Sequence, residues 1–574
     1  MRARGSGSWA AQIADWIARW ASRDDIPPLA SSRGSAFRRT TIIPKLHKFA
    51  GLAVSICLCA AAVCASPAGA ESLYRRGAEG EPATLDPQLT GTVVEANVIY
   101  DLFEGLLTYD ADGALVPGVA ASWSASPDGL TWTFKLRDAK WSNGDPIVAA
   151  DFVYSFRRLL DPATGAQYAN LFYVLKNGEA VDKGAMKPDA LGVKTLDPHT
   201  LEIDLERPTP FILGLLAHQT AVPVNPANVE KFGKDFVRPG NLVSNGAYRL
   251  AEFTPNDRIV LTGNENFHDA ANVKINREEF LPLEDRSAAL RRFQAGEIDS
   301  YADAPADQIP FIREHLKDEF HVEPSLGVSY LSFNTKKPPF DDVRVRNALS
   351  MVVDREFLAD KIWGGAMLPG DSLVPPGIDN YGPPVFPEFH DLSPIEAEDK
   401  AKELLKAAGY GPGGKPLNVE IRFNTSENNK ATSVAIADMW KAIGVTTTFV
   451  NTDLKTHYAL LRSGGDYDVA RAGWIGDYSD PQNFLFLLKS DNVGLNYSRW
   501  ANPAYDALLA KASSERDLKA RAKILAEAEA MLLRDQPVMP IMFYSSKNLV
   551  SKRVSGWKAN LLDRHLTRYL SMVR

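Results

Sequence analysis

Between residues 103 and 206 apolar and polar positions alternate in short runs, and this period of two predicts strands, clearest in LTWTFKLR (130–137) and HTLEIDLE (199–206). Turn clusters SPDG, SNGDP and KTLDP separate them. Towards the carboxyl end the pattern becomes strand–helix alternation. LNVEIRF (417–423), a helix over about 430–442, VTTTFV (445–450), a helix over about 454–462 and YDVARAGW (467–474) follow one another. Such alternation predicts parallel strands joined by crossover helices, with a ligand crevice beyond the strands' carboxyl ends. IGDYSDPQN (475–483), just past the last strand, is therefore the first place to expect a site.

A different pattern occupies the amino-terminal region. No charge interrupts the 22 residues between Lys48 and Glu71, basic residues precede the run, and Ala68-Gly69-Ala70 closes it. This is the grammar of a cleavable export signal, cut after Ala70. The run could nearly span a bilayer, but its small residues favour cleavage over anchoring. Val63 disfavours lipid attachment at Cys64, and no apolar stretch follows Arg38-Arg39 at the offset that twin-arginine export uses. Further upstream, Trp9, Ile13, Trp16, Ile17 and Trp20 would form an apolar helical stripe, suited to a membrane surface if that stretch is translated.

Removing residues 1–70 changes the composition argument. The whole chain has 574 residues, three cysteines and a net charge of −7. Residues 71–574 are 504 residues without cysteine, and carry about −13. A thiol-free chain suits an oxidising compartment, and it excludes cysteine nucleophiles and thiolate metal sites. The acidic balance argues against nucleic acid as a partner.

Other chemistry finds little support. GYGPGGK (409–415) resembles a phosphate loop, but a helix precedes it and a strand follows, the reverse of what phosphate binding at a helix N-terminus needs. Ser393, Pro394 and Glu396 predict the start of that helix, and Gly409 its left-handed end. The nine histidines are scattered, His315 and His321 being expected on a solvated helix end, and no zinc motif or nucleophile elbow occurs. Paired carboxylates of a glycoside hydrolase stay open, since their spacing is spatial. In DVARAGWIGDYSDPQNF (468–484), Asp480-Pro481 reads as a helix start. Asp477 is a turn-former or a site residue, Trp474 core or ligand platform, and Arg471 an internal ion pair or a ligand contact.

Five blocks extend the reading: LDPQLTGTVVEAN through FVYSFRRLLDP (85–162), VSNGAYRL, FQAGEID, PFDDVRVRNAL and DVARAGWIGDY. The first contains the specific pattern W-x-x-S-x-D-G-x-x-W-T-F-x-L-R (123–137). With these, residues 71–574 resemble, over nearly their whole length, the extracytoplasmic solute-binding proteins of oligopeptide ABC importers, family 5. The resemblance implies an α/β, two-lobe periplasmic-binding-protein-like fold (type II, cluster C) with an extra β-rich domain inserted in the first lobe. Lobe I would comprise 71–102, 229–330 and 545–574, the insert 103–228, and lobe II 331–544. Short peptides would be held between the lobes and passed to an inner-membrane ABC permease and its ATPase subunits, by a periplasmic monomer with no catalytic role, cofactor or metal. The resemblance assigns Asp477 to the peptide's α-ammonium, Gly473, Trp474 and Ile475 to its main chain, Arg471 and Arg462 to its carboxylate, and Val93 to a contact from lobe I. In two places the chain departs from better-known members: Gly91 stands where they have a glutamate, and Asn429 where they have a histidine that meets the carboxylate end. Murein peptides, or a non-peptide solute such as a nickel chelate, haem or oligosaccharide, are the alternative ligands.

Overall fold

The computed structural model describes residues 72–411 and 413–573. The export signal, its cleavage point and the tryptophan stripe lie outside the described residues. Residues 71–574 form one compact unit.

Among the described residues, one eleven-stranded sheet runs through this unit. At one end Leu417–Asn424 is parallel to Val445–Thr452 over eight paired positions, as the strand–helix alternation predicts. The intervening helices are Glu427–Lys441 and Leu454–Arg462. At the other end Leu73–Ala78 is parallel to Arg277–Pro282, and an antiparallel hairpin of Tyr248–Thr254 and Arg258–Gly263 extends the sheet. Two long antiparallel strands, Phe320–Phe333 and Val538–Val550, link the two ends. Their register breaks between Pro324 and Val328 and shifts again between Ser329 and Tyr330, so the pairing of residues 320–324 is separate from that of 328–332. Proline and glycine (Pro324, Gly327) interrupt a regular ladder there.

The side-chain period of two separates the cores around the first end. Val328, Tyr330, Ala470 and Ala472 face one apolar cluster, with Leu525 and Leu532 of the helix Leu518–Asp535. Leu331, Phe333 and Val469 face another, with Trp440 and Leu349. Trp440 is fully buried because its indole N–H finds the Leu349 carbonyl at 2.8 Å.

The segment predicted to be β-rich contains a four-stranded antiparallel sheet, in the order Ala120–Ala125, Thr131–Leu136, Thr200–Asp204, Val193–Asp197. It also contains the amphipathic helix Ala149–Leu160, whose Phe152 and Phe156 enter the same core as Phe134, Leu201 and Ile203. That core continues into Tyr248, Leu261 and Phe280 of the large sheet.

Local chemistry explains the boundaries that were legible. Ser393 and Glu396 form a reciprocal capping box at the start of Pro394–Ala407, and Gly409 follows its end at φ 90°. His315 does end an exposed helix turn, Ile309–His315, but His321 lies on the long strand, with its ring 4.5 Å from that of Trp557. Asp480 accepts from Gln482 N at 2.9 Å and so opens the helical turn after Pro481.

Candidate functional site

The strand Val469–Ile475 pairs along its whole length with Phe320–Phe333, from Gly327↔Ile475 to Phe333↔Val469. On its other side it meets Leu417–Asn424 at Val469 and Ala470 alone. Residues 471–475 thus have an edge without a strand partner among the described residues. His457 Nε2 lies 2.8 Å from the Arg471 carbonyl, so that carbonyl points towards the free edge. Peptide groups alternate along a strand, which turns those of Gly473 and Ile475 the same way. Ile475 is 57% exposed. Burial, aided by nearby Arg471 and Arg422, holds the His457 pKa below its ordinary value, so the ring is a neutral Nε2–H donor.

Arg471 is anchored by oxygen atoms that carry no formal charge. Nη1 donates to Tyr458 Oη at 3.1 Å and Asn424 Oδ1 at 3.3 Å, and Nη2 donates to Tyr544 Oη at 2.6 Å. Nε is buried without a partner, and Arg471 makes no ion pair among the described residues. Burial opposes the guanidinium charge, but the surrounding tyrosines outweigh it and hold the Arg471 pKa above the ordinary value. An anion brought to this end of the edge would meet a cation already in place. Arg462, at the exposed end of its helix, lies with its guanidinium 5.9 Å from the Tyr458 ring centre, on the same tyrosine that holds Arg471. Asn429 is buried, and its amide donates to Asn424 O and Oδ1, both at 3.2 Å. It stands one hydrogen bond back from Arg471.

Gly473 makes this arrangement possible. A Cβ at this position would lie 2.6 Å from Tyr544 Oη and 3.4 Å from Arg471 Nη2. Gly473→Val is therefore expected to break the Tyr544–Arg471 bond and crowd the free edge, lowering ligand affinity by at least about tenfold (~1.4 kcal/mol) in calorimetry. Gly473→Ala should fall in between. Equal affinity for all three proteins would show that the edge is not used.

Beyond the strand, the loop turns on Asn483. Its buried Oδ1 accepts from Trp474 Nε1 at 2.7 Å and from Asp477 N at 3.4 Å. Trp474 packs edge-on against Phe486 at 5.7 Å, so it braces the loop from within. Asp477 Oδ2 is buried with no hydrogen-bond partner. Burial pushes the Asp477 carboxyl up to about 6, against the opposing influence of Arg564, Tyr168 and Asn483. Tyr168 directly precedes the short helical turn Ala169–Phe172, and Arg564 lies in the carboxyl-terminal segment. Neither was a candidate from sequence, since nothing local marks residues so distant along the chain.

Val93 is the first residue of the helix Val93–Leu102 and is 53% exposed. Glu95 fixes this turn by accepting from Gly91 N at 2.7 Å and Thr92 N at 3.0 Å. A Cβ at Gly91 would meet Gln167 Oε1 at 2.8 Å, so the neutral Gln167 amide takes the space a side chain at 91 would need. Gln167 adjoins Tyr168, which places the Gly91 turn on the same side as Asp477.

A family model described as bacterial extracellular solute-binding proteins, family 5, matches residues 114–496. The chain is 41% identical over 489 residues to the periplasmic murein peptide-binding protein MppA of Escherichia coli (strain K12), covering 84% of this chain and 90% of that one. It is 37% identical to the periplasmic oligopeptide-binding protein OppA of the same organism, covering 86% and 91%. The solved structure of the MppA murein tripeptide-binding protein in its unliganded open form superposes with a TM-score of 0.77 at 39% identity, covering 88% of this chain and 98% of that one. The two-lobe α/β architecture, the free strand edge and these matches agree: the chain belongs to the bacterial extracellular solute-binding proteins of family 5.

Proposed function

We propose that the protein captures short peptides in the periplasm and delivers them to an inner-membrane ABC permease and its ATPase subunits, working as a monomer and carrying out no chemistry. The observation that carries this reading is the free edge at Arg471–Ile475, followed by Asp477 with a buried, unpartnered carboxylate oxygen. A peptide can add to such an edge through main-chain bonds, which give affinity without reading sequence. Asp477 would take the α-ammonium in a charge-assisted bond, and Arg471 and Arg462 the carboxylate. Asn429 acts through Asn424 rather than touching ligand, Trp474 holds the loop, and Val93 offers an apolar contact from the facing side.

Lobe I is proposed as 71–102, 229–330 and 545–574, the insert as 103–228 and lobe II as 331–544, hinged where the long strands change register. The export signal would be removed after Ala70. Ligand contacts made in the closed state alone would drive closure.

The similarity to a murein peptide-binding protein puts murein peptides among the candidate ligands. Mass analysis of whatever co-purifies with the protein, released by mild denaturation, tests the proposal. A peptide is expected, ordinary or murein-derived. Recovery of a sugar, haem or metal chelate instead would overturn it.

A further inference from the structure

Arg564 bonds the very residue proposed as the ammonium anchor, yet neither the family resemblance nor the strand grammar gives it a task. Its Nη2 donates to the Asp477 carbonyl at 3.3 Å. Its guanidinium lies 4.9 Å from the Tyr100 ring centre and 4.6 Å from that of Tyr109. Those rings meet edge to face, 6.3 Å apart, so the guanidinium is held by two surfaces at right angles.

The segment carrying Arg564 is fastened to its own side of the molecule. Asn560 brackets the Arg564 backbone, accepting from its N at 3.1 Å and donating to its O at 2.8 Å. Thr567 N donates to Asp101 at 3.0 Å, and Arg568 donates to Glu104 at 2.7 Å. Tyr100, Asp101 and Glu104 belong to, or directly follow, the helix Val93–Leu102. Asp477 follows the strand Val469–Ile475 on the other side. Arg564 therefore reaches across from a rigid mount to a loop braced by Asn483.

Two buried atoms of opposite formal charge are left without hydrogen-bond partners here, Asp477 Oδ2 and Arg564 Nη1. Neither residue makes an ion pair among the described residues. A stretch built only for stability would close such pairs, because an uncompensated buried charge is costly. We infer that Arg564 is a positioning residue: mounted between Tyr100 and Tyr109, it fixes the Asp477 loop from across the lobe boundary and keeps the anchor carboxylate ionised, so that the ammonium site is complete when the lobes meet. The inference rests on the reading of Asp477 as the ammonium anchor.

The groups facing Asp477 set the sign. Tyr168 stands beside it, with its hydroxyl pKa raised by burial and then by Asp477 itself. Tyr100 and Tyr478 are likewise raised by burial, and stay neutral in the working range. His218, whose ring centre is 5.2 Å from that of Tyr168, is held down at about 3 by burial and by Arg564, so it is uncharged. Arg564 is the cation among these groups. Removing its charge leaves burial less opposed, and the Asp477 carboxyl then protonates at higher pH.

The test compares tri-alanine with N-acetyl-tri-alanine by calorimetry between pH 5 and 8, in wild type, Arg564→Met, Arg564→Gln and Arg564→Lys. In wild type the free amine should be preferred above about pH 6, where burial holds the Asp477 carboxyl. Met and Gln are expected to move the midpoint of that preference up by about one unit and so to cut the preference about fivefold at pH 6. Lys should restore much of it, which a packing role alone would not do. If either neutral variant folds and keeps both the preference and the midpoint, the inference is overturned. It is also overturned if Lys loses as much as Met, since the charge would then be irrelevant. If wild type itself shows no preference for the free amine, the reading of Asp477 fails first, and that outcome is distinct from the other two.

Discussion

Asp477→Asn is expected to weaken binding of short peptides by about 2–4 kcal/mol, roughly 30- to 1,000-fold, while binding of an N-acetylated peptide barely changes. The asymmetry follows from charge. Asn keeps the shape and an acceptor oxygen, but it cannot pair with an ammonium in a site where both groups have lost water. The pH profile supplies a second reading of the same bond. Burial holds the Asp477 carboxyl at about 6, so the site is ionised above that pH. A peptide α-amino group stays protonated up to about 8. Affinity for free-amine peptides should therefore peak between these limits and fall about tenfold per pH unit on the acid side. The Asn protein should show no acid limb. Stability moves the other way. A folded pKa raised above the unfolded value means that the native state loses stability as pH rises through about 6, where Asp477 must ionise. Asp477→Asn removes that cost, so the variant should unfold at the same or a higher denaturant concentration than wild type at pH 7.5. A variant that lost affinity together with stability would point to a structural aspartate instead.

Much of the frame around this residue could be read from local pattern, because it is made by interactions a few residues long. The alternation from 417 to 474 is written in the side-chain period of each strand or helix taken singly. Ser393, Glu396 and Gly409 mark helix ends through bonds that span three or four positions. Even the position of Asp477 beyond a strand end follows from topology. What could not be read depends on distant partners. The pairing of Phe320–Phe333 with Val538–Val550 joins segments some two hundred residues apart, and neither strand's pattern names the other. Tyr168 and Arg564 reach Asp477 over more than 300 and 87 residues respectively, and as isolated residues each looks ordinary. Asn429 occupies a suggestive position, but its amide is committed to Asn424, a choice set by where a helix rests on a strand. His321, expected with His315 on a solvated helix end, lies on a strand instead, because pairing with the distant Asn548 fixes its segment.

Removing Arg521 should produce the largest loss of stability. Its guanidinium bonds both oxygens of Asp480 at 2.7 Å, and the two side chains are 1% and 5% exposed. The pair is not a surface ornament, because Arg521 also lies 5.8 Å from the centre of Phe211, and Phe211 stacks on Tyr478 at 5.2 Å. Gly214 permits this approach, since a Cβ there would come within 3.1 Å of Tyr478 Cβ. Arg521→Met would leave a carboxylate buried without its cation, at a cost of about 3–5 kcal/mol. Asp480→Asn in the same protein removes that stranded charge while retaining an acceptor for Gln482 N, so the double variant should recover part of the loss. Chemical denaturation of the four proteins forms the cycle that isolates the coupling. Additive losses would mean that the two charges are satisfied independently. Because Asp480 lies three residues beyond Asp477 in the loop that Phe211 holds, the single variant should also bind peptide more weakly. The double variant should regain affinity in step with stability, since Asp477 is only as well placed as the loop that carries it.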